Sequence, residues 1–348
     1  MLRRTFLAQA LLALREDRLD EAEKLLSKAT SSKEVTAASL AVRNRTRTVS
    51  STVGDFKFKG EDELPFLIAS ITKPMTVTAV MVLVDKGEVR LEDRVDKYIP
   101  EFAGGDRALV TVKHLLTHTS GLPDMVPENE QLRAQQAPLK EFVARTCKTP
   151  LLFRPGARCQ YQSMGILLAA EIAERVTKVP FREFLKRSVF DPLGMTQTSL
   201  GLGGRRIDET ALCQVTGNLD WNWNSPYWRN LGVPWGGAHS TSRDILKFLD
   251  YFLKPDSRVL KPETAQTMIV NQNAGLNDPW GIGWAVKKSR MGRACSSRAF
   301  GHSGSTGTVC WADPATDTSF ALLTTKPAAE SRDTILTPVS DLISEAVS

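Results

Sequence analysis

Ser70 and Lys73 stand three residues apart in the run Leu67-Ile68-Ala69-Ser70-Ile71-Thr72-Lys73-Pro74-Met75, a spacing that stacks them on one face of a helix. A serine hydroxyl is almost wholly protonated at neutral pH, so it attacks a carbonyl well only when a base is held beside it. Lysine can be that base once it is largely neutral. This requires burial or nearby positive charge to bring its pKa down from about 10.4. The residues that follow favour burial, because Met75 to Val84 is apolar on almost every face. Such a run predicts a helix through the middle of a core, closed at Gly87. Taken alone, S-x-x-K also describes a helix start with a solvated lysine.

Two further groups change its weight. Tyr161-Gln162-Ser163 lies within Arg158-Cys159-Gln160-Tyr161-Gln162-Ser163-Met164-Gly165, just before a helical stretch from Ile166. His302-Ser303-Gly304 lies within Gly301-His302-Ser303-Gly304-Ser305-Thr306-Gly307, between two strand-like runs. A serine motif, a tyrosine motif and a short strand triplet, in that order, resemble the serine β-lactamase and penicillin-recognising superfamily. The branch most similar contains class C β-lactamases, D-alanyl-D-alanine carboxypeptidases and β-lactamase-like esterases. Connecting phrases resemble it too: Leu116-Thr117-His118-Thr119-Ser120-Gly121-Leu122, Asp191-Pro192-Leu193-Gly194-Met195, Gly236-Gly237-Ala238-His239-Ser240-Thr241 and Trp280-Gly281-Ile282-Gly283-Trp284. The similarity runs from about Val35 to about Lys326.

Two positions depart from class C enzymes, where the tyrosine motif usually ends in asparagine and the triplet usually begins with lysine. Here those places hold Ser163 and His302. A serine hydroxyl is shorter than an asparagine amide and offers fewer contacts. A histidine near its reference pKa is mostly neutral at pH 7 and lacks the fixed charge that attracts a substrate carboxylate. Both changes weaken the case for lactam or peptide substrates and leave ester hydrolysis untouched.

The resemblance implies that Ser70 attacks an acyl carbon while Lys73, with the Tyr161 phenol, takes its proton and returns one to the leaving group. It also implies an oxyanion hole made by the backbone N–H groups of Ser70 and Ser305, each such donor being worth about 10² to 10³ in rate. Ser163, His302, Ser303 and Gly304 would contact substrate, with Gly304 letting the strand edge come close. Packing readings stay open for Tyr161, as a half-buried ring, and for His302, as a strand-end surface residue.

Other chemistries find little support. There is no G-x-S-x-G nucleophile elbow and no glycine-rich phosphate loop. His114 and His118 have i, i+4 spacing without the glutamate of H-E-x-x-H, and read as helix-end and turn residues. Neither a metal nor a cofactor is implied. Cys147, Cys159, Cys213, Cys295 and Cys310 form no C-x-x-C pair and read as mostly free, buried thiols, although Cys147 and Cys159 could bridge in an exported chain. The net charge of +6 over 348 residues is spread thinly, without a basic block interleaved with aromatics, which argues against nucleic-acid binding. No apolar run reaches about 18 residues, so no transmembrane segment is expected.

An apolar content of 42% suits a large core in two interlocked lobes. Val35 to Val42 and Thr46 to Phe58 read as a strand pair, with Arg43, Arg45 and Arg47 alternating along one strand and facing out. Leu91 to Phe252 is rich in helical periodicity, including Leu167 to Val176 and Phe181 to Val189. Strand-like runs return at Trp280 to Lys287, Ala299 to Gly301, Thr306 to Trp311 and Ser319 to Thr325, before a last helix from about Ser331 to Ala346. Strands at both chain ends with helices between them predict an α/β (α+β) fold. Its antiparallel sheet, formed by residues 35–90 and 262–348, is flanked by helices and carries an inserted helical lobe at 91–261. This organisation is β-lactamase/transpeptidase-like. Arg3-Arg4-Thr5-Phe6-Leu7 resembles a twin-arginine export core, but the apolar stretch behind it is short. Leu7, Leu11, Leu14, Ala22 and Leu25 follow helical spacing instead, so residues 1–34 read as an amphipathic helix and the location as cytoplasmic, with export as the alternative.

Trp221, Trp223, Trp228, Trp235 and Tyr227 fall in one loop rich in asparagine and proline. These aromatics could line a pocket for an apolar group, with Trp221 and Trp235 touching substrate, or staple the loop to the body. Three readings of function follow: a serine hydrolase of small esters, a β-lactamase or D-alanyl-D-alanine carboxypeptidase of the same mechanism, or a non-catalytic binding member of the fold. The first two imply a small-molecule ester or amide as partner. Oligomeric state is left open.

Overall fold

Strands that are apolar on both faces need cover on both, and that need sets the architecture. The structure, a computed structural model, describes residues 14–45, 47–54, 64–216 and 220–348. Helix α1 (Glu16–Ser31) leads into strands β1 (Ala37–Asn44) and β2 (Arg47–Gly54). After β3 (Phe66–Leu67), a 3₁₀ turn at Ala69–Ile71 opens helix α2 (Thr72–Asp85). The middle of the chain supplies α3 (Val112–Leu116), α4 (Asn129–Ala134), α5 (Leu139–Lys148), α6 (Met164–Thr177), α7 (Phe181–Leu185), β4 (Ser199–Leu200), α8 (Pro226–Leu231) and β5 (Ala238–Ser240). Then follow α9 (Ser242–Leu253), α10 (Pro262–Met268), β6 (Phe300–Gly304), β7 (Thr308–Asp313), β8 (Thr318–Thr324), α11 (Ala328–Ser331) and α12 (Thr337–Ala346).

The main sheet has the order β2-β1-β8-β7-β6, every neighbour antiparallel. Both chain ends therefore build it, as the strand pattern predicts. Alternation along the strands feeds two layers. Leu40, Val42, Trp311, Phe320 and Leu322 pack with Leu19, Leu26, Val339 and Ile343 of α1 and α12. Ala41, Cys310, Ala312, Ala321 and Leu323 join the larger core on the other face, where α9 lies across β1, β7 and β8. There Phe252 meets Trp284 and Phe300 at ring-centroid distances of 5.2 and 6.1 Å.

Helix α2 runs through the larger core with every residue from Thr72 to Leu83 buried, beside the apolar α6. Gly87, at φ +74°, ends it by donating its N–H to Val84 O. All five cysteines are buried free thiols, so Cys147 and Cys159 do not bridge.

Several expectations need correction. Arg43, Arg45 and Arg47 do not share a strand, because Arg45 takes φ +53° in the β1–β2 turn. Arg43 faces α9 rather than solvent, held by Asp250 at 2.6 Å and Asp317 at 3.1 Å. Trp280 to Lys287 is not a strand. Its backbone is satisfied by loop and helix-end carbonyls, with Ile282 N–H donating to Met268 O and Gly283 N–H to Leu116 O, and only Ala285 bridges to Gly301. The helix expected over Phe181 to Val189 widens into a π turn at Lys186–Phe190. A second π turn, Arg332–Leu336, separates α11 from α12 within the expected last helix. The second strand stops at Gly54, and its expected extension to Phe58 lies outside the described residues, as do Arg3, Arg4, Leu7 and Leu11. Among the described residues no helix is long and apolar enough to cross a membrane.

Phe252→Ala should lower stability by about 3–5 kcal/mol, since the cavity it leaves is walled by rigid rings that cannot collapse inward. Urea denaturation checks this. The midpoint should fall with little change in slope.

Candidate active site

The Ser70 turn is strapped on both sides before any chemistry is considered. From β5, Ala238 O accepts the Ile68 N–H at 3.0 Å, and the Ala238 N–H donates to Thr72 Oγ1 at 3.0 Å. From the β6–β7 side, Thr306 Oγ1 donates to Leu67 O at 2.6 Å and Thr308 Oγ1 to Ile68 O at 3.1 Å. These bonds hold Ala69 at φ +43°, a left-handed conformation costly for a residue with a Cβ. Ser70 is thereby presented in the first helical turn, where backbone N–H groups have no intrahelical acceptor. Gly304 is needed at the same place. A Cβ there would stand 2.3 Å from both Ile68 O and Thr308 Oγ1, so its role is close approach to the Ser70 turn as well as to the cavity.

Lys73 is 1% exposed. Its Nζ lies 3.0 Å from Ser70 Oγ and 2.9 Å from Trp235 O. Burial drives its pKa down to about 7 against the pull of the Asp124 carboxylate. Near neutrality a large fraction is therefore the free amine, with a lone pair for the Ser70 proton. The Lys73 Nζ also sits 4.8 Å from the centre of the Tyr161 ring. Burial pushes the Tyr161 phenol well up, opposed by its hydrogen bond with Ser70. The phenol therefore keeps its proton and can pass one on, while Lys73 is the better base.

Around Tyr161 stand His118, Trp280 and His302, with ring centroids at 4.8, 5.8 and 6.0 Å. Burial, reinforced by the nearby Lys73, takes the His302 pKa down to about 3. His118 is likewise held well below its ordinary value, by burial first. Both are neutral at physiological pH. A cavity of about 570 Å³ opens on Ser70, Tyr161, Trp280, His302, Ser303, Gly304 and Ser305, with Arg290 and Arg332 on its wall.

A family model described as Beta-lactamase matches residues 21–342. The chain belongs to the β-lactamase family. Among curated relatives, Esterase EstB of Burkholderia gladioli is 37% identical over 150 residues, 39% of this chain and 38% of that protein. Penicillin-binding protein 4* of Bacillus subtilis (strain 168) is 29% identical over 245 residues, 64% of this chain and 52% of that one. The chain thus spans from over a third to about half of the length of these relatives. Among solved structures, EstCE1, described as a hydrolase with promiscuous acyltransferase activity, superposes with a TM-score of 0.79 at 18% identity, covering 94% of this chain and 99% of that one. That similarity carries the β-lactamase-family fold and no more.

Within this family frame the structure gathers Ser70, Lys73, Tyr161, His302, Ser303, Gly304 and Ser305 at one place. Ser163 and the two tryptophans stand apart. Ser163, 2% exposed, donates its hydroxyl to Asp124 Oδ1 at 2.6 Å, which ties the start of α6 to the segment between α3 and α4 and engages the group expected to face substrate. Trp235 packs on Phe142 and contributes its carbonyl to Lys73, while its ring does not line the cavity. Trp221 is clamped with Trp228 about the Arg133 guanidinium, at 4.6 and 4.0 Å, and also lies away from the cavity. The aromatic loop is a staple because its cation–π contacts tie it to Arg133 of α4. Sequence reasoning missed His118, Trp280, Asp124 and Arg290. The first two occur in phrases that carried the resemblance, and His118 adopts φ +60°, but neither spacing nor residue type pointed them at Tyr161. His114 is the helix-end residue expected, its Nδ1 accepting the Thr111 N–H at 3.2 Å. No group of metal-binding side chains occurs among the described residues.

Gly304→Ala should shift the Ser70 turn by several tenths of an ångström or more and cost at least about 10² in kcat/KM, the scale of a small misplacement of reacting groups. Steady-state kinetics beside a thermal melt check it. A folded variant of unchanged activity would contradict the packing described.

Proposed function

We propose that this protein is a serine hydrolase that cleaves small uncharged carboxylic esters through an acyl-enzyme. The observation that carries the reading is the buried Lys73 amine 3.0 Å from Ser70 Oγ at the floor of a cavity whose strand triplet opens with a neutral histidine. Ser70 attacks the acyl carbon as its proton passes to Lys73 Nζ. Charge that develops on the carbonyl oxygen is met by the N–H groups of Ser70 and Ser305. Collapse expels the alcohol, which takes a proton relayed from Lys73 by the Tyr161 phenol. Water then attacks the ester on Ser70 by the same relay in reverse, releasing the acid.

The name of Esterase EstB supports ester substrates. So does the neutrality of His302, since no fixed ammonium awaits a carboxylate at that place. A second reading, a β-lactamase or D-alanyl-D-alanine carboxypeptidase, draws on Arg290 and Arg332 on the cavity wall. Arg290 is already engaged by Asp278 at 2.6 Å, which leaves the exposed Arg332 as the cation open to an anionic substrate. Purified protein assayed on p-nitrophenyl esters of graded chain length beside a chromogenic cephalosporin separates the readings. Short esters should give the higher kcat/KM. A cephalosporin turned over faster than every ester would reverse the choice, and loss of both activities in Ser70→Ala assigns them to one nucleophile.

Lys73→Arg keeps the charge and cannot deprotonate, so turnover should fall by about 10² to 10⁴. In the wild type, ester kcat/KM should rise with pH through an inflection near 7, because the working amine is the deprotonated form and burial places its pKa there. A flat profile from pH 6 to 9 would remove Lys73 from the role of base.

A further inference from the structure

Two buried atoms on the cavity wall have a fixed hydrogen-bonding direction. His302 Nδ1 lies 2.8 Å from Ser303 O, and a carbonyl oxygen only accepts, so Nδ1 carries the imidazole proton. Neutral histidine has one such proton. Nε2 is therefore a bare lone pair, an acceptor, and it is buried with no donor among the described protein groups. Trp280 is its neighbour at 5.9 Å between ring centroids, nearly perpendicular. The Trp280 Nε1–H can only donate, and it too is buried without a partner among the described residues. Both residues line the Ser70 cavity, and both are more than nine-tenths buried. A buried polar atom left unpaired is costly, which makes such atoms strong discriminators among the molecules that enter.

We propose that His302 Nε2 and Trp280 Nε1 form a polar subsite of this cavity that selects esters carrying a hydroxyl or an amide N–H in their acyl or alcohol part. A hydroxyl supplies both a donor for His302 and an acceptor for Trp280, and an amide does the same with its N–H and C=O. A carboxylate or an ether supplies acceptors only and leaves His302 unpaired. A lysine at the head of the triplet would present donors alone and favour the opposite set, so the histidine inverts the polarity of this wall. The depressed pKa of His302 keeps Nε2 an acceptor across the working pH range.

The proposal rests on the esterase reading above, so its test carries one arm that needs no turnover. In Ser70→Ala protein labelled with ¹⁵N-histidine, NMR should find His302 as the Nδ1–H tautomer with a pyridine-type Nε2. Finding the proton on Nε2 would overturn the proposal whatever the activity. With the active enzyme, p-nitrophenyl esters of hydroxyalkanoic acids, the hydroxyl placed at each of carbons 2 to 4, are compared with their O-methyl ethers. At one position the hydroxyl ester should be favoured by about tenfold to a hundredfold in kcat/KM, the range expected when a buried acceptor is left unpaired. That ratio should shrink in Trp280→Phe and collapse toward one both in His302→Leu and in His302→Lys, whose ammonium only donates and is met by a hydroxyl or an ether oxygen alike. Hydrolysis of all these esters with a ratio near one at every position in the wild type would overturn the subsite and leave the esterase reading standing. Absence of hydrolysis with the expected tautomer would instead count against the esterase reading.

Discussion

Keeping one nitrogen away from water is the constraint on which this protein's site depends. An ammonium on Lys73 in contact with solvent would hold its proton far above neutrality and leave Ser70 an ordinary alcohol. Taking that charge out of water is expensive unless the group can shed it, and a helix buried on every side is the means of enclosure. Helix α2 is accordingly wrapped by α6, by the loop carrying Trp235, and by β5 and the β6–β7 hairpin that strap the turn at its start. The apolar surface that stabilises the fold and the low polarity that sets the base are the same packing.

The enclosure is balanced by one carboxylate. Asp124 opposes the lowering of the Lys73 pKa and is itself held by Ser163 at the start of α6. The residue that departs from the class C pattern thus acts on the site through a charge and its position. Neutral His118 and His302 add rings and no cations beside Lys73, so the amine is tuned chiefly by burial.

Much of this was legible in the sequence because it was local. The S-x-x-K spacing, the apolar run behind it and Gly87 define α2 within one stretch, and short strand-like runs near the end of the sequence give β7 and β8. The sheet from both chain ends followed from strands at the extremities with helices between. What escaped reading was long-range or geometric. Nothing in Trp280 to Lys287 announces that its backbone bonds to helix-end carbonyls, and alternation of tryptophans with glycines mimics a strand. The two π turns leave no composition signal. Trp221 looked like a pocket aromatic because its partner, Arg133, is remote in sequence. His118 and Trp280 reach Tyr161 only through tertiary packing, which a single sequence does not encode in any spacing.

The sheet built from both ends of the chain has a bearing on how the protein is made. Thr36 and Thr325, hydrogen-bonded at 3.0 Å, are 289 residues apart, and β1 finds its inner partner only in β8. During synthesis the β1–β2 hairpin must wait, with one apolar edge unpaired, until nearly the whole described chain has left the ribosome. Pairings of such separation are slow to form, and unpaired edges invite association with other chains. The straps from Thr306 and Thr308 to the Ser70 turn arrive with those same last strands. A nascent or truncated chain therefore holds its serine without the geometry to use it, and competence is acquired in a single late step when the C-terminal strands close the sheet.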